Sequence, residues 1–267
     1  MKILTPQGDV TAFFARLRTC ERAVLMLDYD GTLAPFRIER DQAVPYPGVR
    51  EILTSIVQTG WTRLVIVSGR AVDELLPLLG LSVAPEIWGA HGWEHLSARG
   101  TYQLGAISAA QSDVFTQLDA WAERQGFTAA WERKPVSRAF HWRAQDVANI
   151  PSLRAAVLQD WQVLIGDSGL EIHEFDGGVE MRVPGRDKGL AVRQILAETT
   201  PATAVAYLGD DRTDEDAFQA VGHAGLSVLV REQFRPTVAD LWLLPPAELL
   251  DFLREWDRIT KNKRWQA

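Results

Sequence analysis

The chain has 267 residues, with 28 Lys+Arg against 35 Asp+Glu and a formal net charge of −7. Hydrophobic residues make up 46% and charged residues 24%, the make-up of an ordinary globular protein long enough for one large α/β domain or a core with a smaller insertion. The acidic balance argues against a nucleic-acid binder, no apolar run approaches the roughly 18–20 residues of a membrane span, and a start broken by Gln7, Asp9, Arg16 and Arg18 is not a secretory signal.

Cys20, the only cysteine, cannot form an internal disulfide and reads as a partly buried thiol of a reducing cytoplasm. The first strand is predicted at Ala23–Asp28, an apolar run that closes on a carboxylate. A helix follows over Val49–Gln58, with apolar residues at Val49, Ile52, Leu53 and Ile56. A second buried strand, Leu64–Val67, ends in Ser68-Gly69-Arg70. A helix over Val72–Leu79 and a short strand at Ile87–Trp88 come next, and the strand runs into Gly89-Ala90-His91-Gly92. The pattern then changes. A helix over Ser108–Arg124 precedes paired strands Phe127–Lys134 and Ser137–Arg143, joined at Pro135-Val136. A helix near Ser152–Asp160 leads to strands Leu170–Phe175 and Val179–Val183 around the turn Asp176-Gly177-Gly178. Beyond these, Ala204–Leu208 is a buried-type strand ending in Gly209-Asp210-Asp211, and Leu226–Val230 and Leu241–Leu243 are further strands. Glu248–Trp265 is an amphipathic closing helix, apolar at Leu249, Leu250, Leu253, Trp256 and Ile259, with Lys261, Lys263 and Arg264 near its end.

Apolar strands alternating with helices predict an α/β core with a doubly wound, Rossmann-like parallel sheet, formed by 1–106 and 184–267. The αββαββ order between them predicts a smaller α+β domain inserted at 107–183. Ligands of such sheets bind beyond the carboxyl ends of the strands, and three polar motifs fall at such ends. The most informative is Leu27-Asp28-Tyr29-Asp30-Gly31-Thr32-Leu33. Two carboxylates at a strand end can reach one site if the chain turns after the strand, as Gly31 helps it do. One can attack an electrophile while the other handles protons, and a hard cation can link them. A solvated Asp-x-Asp-Gly turn explains the short pattern equally; its extension to DxDGTL after an apolar strand favours the chemical reading.

This motif resembles the first signature of the haloacid dehalogenase superfamily, whose other motifs occur here in order. Ser68 matches the second-motif hydroxyl, Lys188 in Arg186-Asp187-Lys188-Gly189 the third-motif lysine, and Gly209-Asp210-Asp211-Arg212-Thr213-Asp214-Glu215 the acidic fourth motif. Val67-Ser68-Gly69-Arg70, Gly89-Ala90-His91-Gly92 and the fourth motif together resemble the trehalose-6-phosphate phosphatase family. Trp131-Glu132-Arg133-Lys134, His141-Trp142-Arg143 and Val179-Glu180-Met181-Arg182 resemble its cap motifs, with Trp142 in place of the usual tyrosine and Met181 in place of an aliphatic residue. The likeness covers about 23–220 and makes the insertion a type-C2 cap. It leaves no room for a fused synthase domain, so a separate synthase would supply the substrate.

The resemblance implies a cytoplasmic phosphatase for a small sugar phosphate, trehalose 6-phosphate, with Mg²⁺ as cofactor. It makes Asp28 the nucleophile of an aspartyl-phosphate and Asp30 the acid and base. Lys188 and Ser68 would cradle the phosphoryl oxygens, with Gly69 and Arg70 beside them. The cation would sit on Asp28, the Asp30 carbonyl and Asp210. Asp214 and Asp211 would hold its waters or Lys188. Glu132, Lys134 and Glu180 would read sugar hydroxyls, assisted by His141 and Arg143, although alternation along Ser137–Arg143 also suits an exposed cross-strand pair. His91 would line the core–cap cleft or serve as a hydrogen-bonded structural residue. His95, His173 and His223 form no metal spacing. The 10 tryptophans, Trp61, Trp242 and Trp256 among them, read mostly as packing. The alternatives are a phosphatase for another sugar phosphate, such as glucosylglycerol phosphate or sucrose phosphate, and a catalytically silent sensor on the same fold.

Overall fold

The structure, a computed structural model, describes residues 1–37, 39–142, 149–175, 177–261 and 263. The chain divides into two compact units, Met1–Gln103 with Arg186–Ala267, and Leu104–Gly185 between them. The discontinuous unit opens with β1 (Lys2–Ile3), α1 (Val10–Thr19), β2 (Arg22–Leu27), α2 (Val49–Gln58), β3 (Thr62–Val67), α3 (Val72–Leu79), β4 (Glu86–Gly89), β5 (Glu94–Leu96) and β6 (Tyr102–Leu104). The insertion contributes α4 (Ala109–Gln125), β7 (Trp131–Lys134), β8 (Ser137–His141), α5 (Ile150–Ile165), β9 (Glu171–Phe175) and β10 (Gly178–Arg182). The chain then returns with α6 (Lys188–Ala197), β11 (Thr203–Gly209), α7 (Glu215–Val221), β12 (Leu226–Val230), β13 (Leu241–Leu243) and α8 (Ala247–Thr260).

The larger sheet has the strand order β1-β13-β12-β11-β2-β3-β4-β5-β6. Pairing from β13 to β4 is parallel throughout, while β1 and β5 add antiparallel edges. Alternation along β2 divides the core into two faces. Leu25 and Leu27 join Phe13, Leu53, Phe252 and Trp256 from α1, α2 and α8. Val24 and Met26 join Val192, Ile195 and Phe218 from α6 and α7. Helices therefore cover both faces, and the doubly wound reading is borne out. The buried Trp256 indole donates to Thr62 Oγ1 at 3.1 Å, which satisfies its single polar atom inside the core.

Several predicted elements change length, among them the closing helix, expected over Glu248–Trp265 and found over Ala247–Thr260. Thr128–Ala130 forms a 3-10 turn, so the strand predicted from Phe127 begins at Trp131. The helix predicted at Ser152–Asp160 runs over Ile150–Ile165, with Pro151 in its first turn, where its missing N–H costs nothing. Helices α1, α6 and α7 and the edge strands β1, β5 and β6 come without a sequence expectation. Asp9 caps α1 through the amides of Thr11 and Ala12, and Asp187 caps α6 through that of Leu190. Arg264, placed near the end of the closing helix, lies outside the described residues.

The insertion is an antiparallel sheet of order β7-β8-β10-β9. One face carries Trp131, Arg138 and Phe140 against α4 and α5. Trp121, Trp131 and Trp161 meet ring to ring, and Arg138 pairs with Asp119 at 2.8 Å beneath the same helices. The opposite face carries Glu132, Lys134, Ser137, His141 and Glu180, as the alternation predicts for β8.

Candidate active site

β2 and β11 lie side by side with Leu27 opposite Leu208, so the residues that follow, Asp28 and Gly209-Asp210, leave the sheet together. The chain turns sharply after Asp28. Gly31 adopts φ +76°, and a Cβ there would collide with the Asp210 carboxylate, so glycine is required for both conformation and space. Asp28, Lys188, Asp210 and Asp214 are all buried.

Lys188, the first residue of α6, places Nζ 2.9 Å from Asp28 Oδ1 and 2.8 Å from Asp214 Oδ1. Asp214 also accepts from the Tyr207 hydroxyl at 2.6 Å and from the amides of Asp210 and Asp211 at 3.0 and 2.9 Å. These four bonds fill both its oxygens. Tyr207, which reads in sequence as one more core residue of a buried strand, thus helps to fix the carboxylate that holds the lysine. Burial opposes the charge on Lys188, but Asp214 and Asp28 outweigh it and hold the ammonium protonated. Burial, then Asp214, pushes the Asp28 carboxyl well above the usual range, and the same two causes push Asp210 up to about 7.

The residues present fit a hard cation. Asp28, Asp210 and Asp214 each offer an oxygen within 4.8 Å of the others, and Asp210 Oδ1 is buried with no hydrogen-bond partner among the described residues. One ammonium faces three carboxylates, an arrangement that a divalent ion with oxygen ligands would balance. Because the Asp214 oxygens are taken, Asp28 and Asp210 are the available donors. A recess of about 330 Å³ walled by Gly31, Phe36, Tyr46, Arg231 and Glu232 adjoins Asp210.

A pH dependence follows. In the metal-free fold the raised Asp210 carboxyl favours its protonated form. That contribution to stability is complete below the ordinary carboxylate range and lost as pH rises through about 7. A cation must displace this proton, so the rise in Tm on adding Mg²⁺ is expected to be small near pH 6 and to grow towards pH 8. In Asp210→Asn the gain should be small and flat across that interval. A pH-independent gain in the unsubstituted protein would count against Asp210 as a ligand.

The Asp30 side chain lies apart from this cluster. Arg70 grips it with two parallel bonds, Nε to Oδ2 at 2.6 Å and Nη2 to Oδ1 at 2.7 Å, while Arg70 Nη1 donates to the Arg40 carbonyl. Arg70, expected beside the phosphoryl group, is therefore engaged with Asp30. Asp211 is exposed and caps the short turn at Arg212–Asp214. Ser68 is buried at the end of β3, its Oγ accepting from the Arg70 amide at 3.2 Å. His91 lies against Gly69, where a Cβ would stand 2.6 Å from the imidazole. Ala90 and His91 both take left-handed backbone, at φ 47° and 56°, held by Ala90 N–H to the Arg70 carbonyl and His91 N–H to the Ser68 carbonyl. Such conformations cost about 1–3 kcal/mol each and cluster at functional sites.

In the insertion, Lys134 Nζ lies 3.0 Å from Glu180 Oε1 and 3.8 Å from Glu132 Oε1. Ser137 donates to Glu180 at 2.7 Å, and His141 Nε2 meets Glu132 at 2.8 Å. Glu132 and Glu180 both stand opposite Ala139 in the register, so a small residue separates the two carboxylates. The expected sugar-reading residues thus form one connected polar row. Arg143 lies outside the described residues. Away from both sites, His95 stacks on Trp88 and contacts Glu86 at 3.0 Å.

Residues 26–240 match the family model of trehalose-phosphatase. The chain is 32% identical over 250 residues to the trehalose-phosphate phosphatase of Mycobacterium marinum, covering 88% of this chain and 61% of that one. It therefore spans about three fifths of the length of such curated relatives. Among solved structures, the trehalose-6-phosphate phosphatase of Aspergillus fumigatus superimposes with a TM-score of 0.67 at 25% identity, over 96% of this chain and 99% of that one. The C-terminal domain of the Candida albicans trehalose synthase regulatory protein shares the fold, with a TM-score of 0.68 at 14% identity over 95% and 99% of the two chains.

Proposed function

The chain belongs to the trehalose-phosphatase family, and from that premise we propose that it hydrolyses trehalose 6-phosphate to trehalose and inorganic phosphate. The observation that carries this reading is the buried Asp28–Lys188–Asp214 chain beside Asp210. A binding module would gain nothing from crowding carboxylates around the phosphoryl site, whereas in-line displacement needs a nucleophile and fixed positive charge.

In the first step an Asp28 oxygen attacks phosphorus and the bond to the sugar oxygen breaks. Asp30 gives its proton to that oxygen, leaving an aspartyl-phosphate and free sugar. In the second, water attacks the aspartyl-phosphate and yields its proton to Asp30, releasing phosphate and restoring Asp28. Lys188 holds a phosphoryl oxygen throughout, kept in place by Asp214, and Ser68 donates to another. Bound Mg²⁺, held by Asp28, Asp210 and the Asp30 carbonyl, would supply Lewis-acid charge against the phosphoryl oxygens. Because Arg70 donates to both Asp30 oxygens, Asp30 enters the cycle by releasing that partner and taking up from solvent the proton it gives to the sugar oxygen. Gly69 and His91 line the phosphoryl end. The substrate would come from a separate synthase, and the half-buried free thiol of Cys20 suits a reducing cytoplasm.

Phosphate release from trehalose 6-phosphate, sucrose phosphate, glucosylglycerol phosphate and p-nitrophenyl phosphate, with and without Mg²⁺, tests this. The expected result is Mg²⁺-dependent release that is greatest for trehalose 6-phosphate. Preference for another sugar replaces the substrate assignment, and saturable binding without release from any ester replaces catalysis by sensing.

The phosphoryl machinery meets what every monoester presents alike, so we assign sugar selectivity to Glu132, Lys134, Glu180 and His141, with Arg143. Glu132→Ala and Glu180→Ala are each expected to lower kcat/KM for trehalose 6-phosphate by about 10-fold or more. Hydrolysis of p-nitrophenyl phosphate, which lacks the sugar, should change little. Equal losses on the two substrates would mean that these residues support the insertion rather than read the sugar.

A further inference from the structure

Arg235, in the connection between β12 and β13, belongs to none of the motifs, yet its guanidinium is spent on the loop that carries the fourth one. Nε donates to the Asp210 carbonyl at 3.2 Å, Nη2 to the Asp211 carbonyl at 2.6 Å and Nη1 to the Pro236 carbonyl at 3.0 Å. Nη1 also pairs with the Glu215 carboxylate, and the side chain is only 14% exposed. On the opposite side, Asp214 takes the amides of the same two residues, Asp210 and Asp211. The carboxylate thus holds the N–H groups of the peptide units on either side of Asp210, and the guanidinium holds the carbonyls of the two units that follow Asp210. Arg231 adds a longer contact to the Asp210 carbonyl, at 3.4 Å.

We propose that Arg235 is a positioning residue for the metal-facing carboxylate of Asp210, a role that rests on the Mg²⁺ reading above. Fixing the Asp210 carbonyl fixes the peptide plane beyond it, and with it the direction in which the Asp210 side chain leaves the backbone. That direction has little latitude, because the carboxylate already fills the space where Gly31 lacks a Cβ. The task suits arginine rather than lysine. Its planar fork reaches three carbonyls and a carboxylate in a fixed pattern, which a single ammonium cannot reproduce.

Calorimetric titration of the metal-free chain with Mg²⁺ tests the assignment without turnover. Arg235→Gln is expected to weaken Mg²⁺ binding about 10–100-fold, the usual effect of removing a partner behind a metal ligand, and Arg235→Lys to fall in the same direction. Glu215→Gln, which touches the ion pair but neither carbonyl contact, is expected to leave Mg²⁺ affinity within about twofold. Hydrolysis of p-nitrophenyl phosphate by Arg235→Gln should recover when Mg²⁺ is raised, because the defect lies in metal affinity. If the unsubstituted chain binds no Mg²⁺, the metal reading itself falls and the proposal with it. If it binds Mg²⁺ and the arginine variants bind equally well, even with a lowered Tm, the positioning role is overturned and Arg235 only braces the fold. Should Arg235→Gln fail to fold, Arg235→Lys decides by the same measurement.

Discussion

Asp28→Asn is expected to lower turnover of trehalose 6-phosphate roughly 10⁴-fold or more in kcat, as for other nucleophiles that act within a catalytic unit. The amide keeps the shape of the carboxyl and an oxygen for Lys188, now 2.9 Å from Asp28 Oδ1. It removes the nucleophile and one of three crowded carboxylates, where burial and then repulsion from Asp214 already push the Asp28 carboxyl upward. The metal-free variant should therefore hold its Tm or gain slightly. Asp30→Asn should fail in turnover by a different route, still accepting phosphate from an activated ester, so that acid-quenched protein carries a labelled phosphoryl group. Purified Asp28→Asn with substantial activity would sink the covalent route whatever its stability.

Lys188→Met is expected to have the largest effect on stability. It leaves Asp28, Asp210 and Asp214 buried without their ammonium, and breaking a buried pair in this way costs about 3–5 kcal/mol. Added Mg²⁺ should return part of that stability, since the cation replaces the missing charge among the carboxylates. Activity should not return, because the cradle for a phosphoryl oxygen is gone. Urea unfolding with and without Mg²⁺ reads the first effect and phosphate release the second. A metal-free Lys188→Met protein as stable as the unsubstituted one would show that shared protons, rather than the lysine, balance the acidic cluster.

Asp28, Lys188 and Asp210 are legible in the sequence because each belongs to a local pattern. Two follow apolar runs at strand ends, and the third is found through the resemblance of its Arg186-Asp187-Lys188-Gly189 segment to a family motif. What surrounds them is tertiary and leaves little local trace. Tyr207 looks like any other member of a fully buried strand, yet its hydroxyl ends on Asp214. Arg70 sits in a motif that suggests phosphoryl contact, while its partner Asp30 is 40 residues away and reached only across neighbouring strands. Helix α6 escapes the periodicity because its first buried positions are Lys188 and Gly189, which no apolar pattern counts. In the insertion, simple alternation places the β8 residues correctly. The contacts of Glu132 and Glu180 with Lys134, Ser137 and His141, by contrast, depend on which strands are neighbours, and the order β7-β8-β10-β9 is not written in any one strand.

The discontinuity of the larger unit also bears on how the chain is made. β2 pairs with β11 on one side and β3 on the other, but β11 leaves the ribosome only after all of Leu104–Gly185. Until then β2, one of the most apolar strands, keeps an open edge able to pair with another nascent chain, whereas the insertion is continuous and carries its own aromatic core. The early product therefore needs shielding, by a chaperone or by rapid elongation, through the stretch that encodes the insertion. The same order keeps unfinished chains silent: Asp28 is made early, but Lys188 and Asp210 arrive after the interruption, so a ribosome that stalls within it leaves behind a polypeptide with no assembled phosphoryl site.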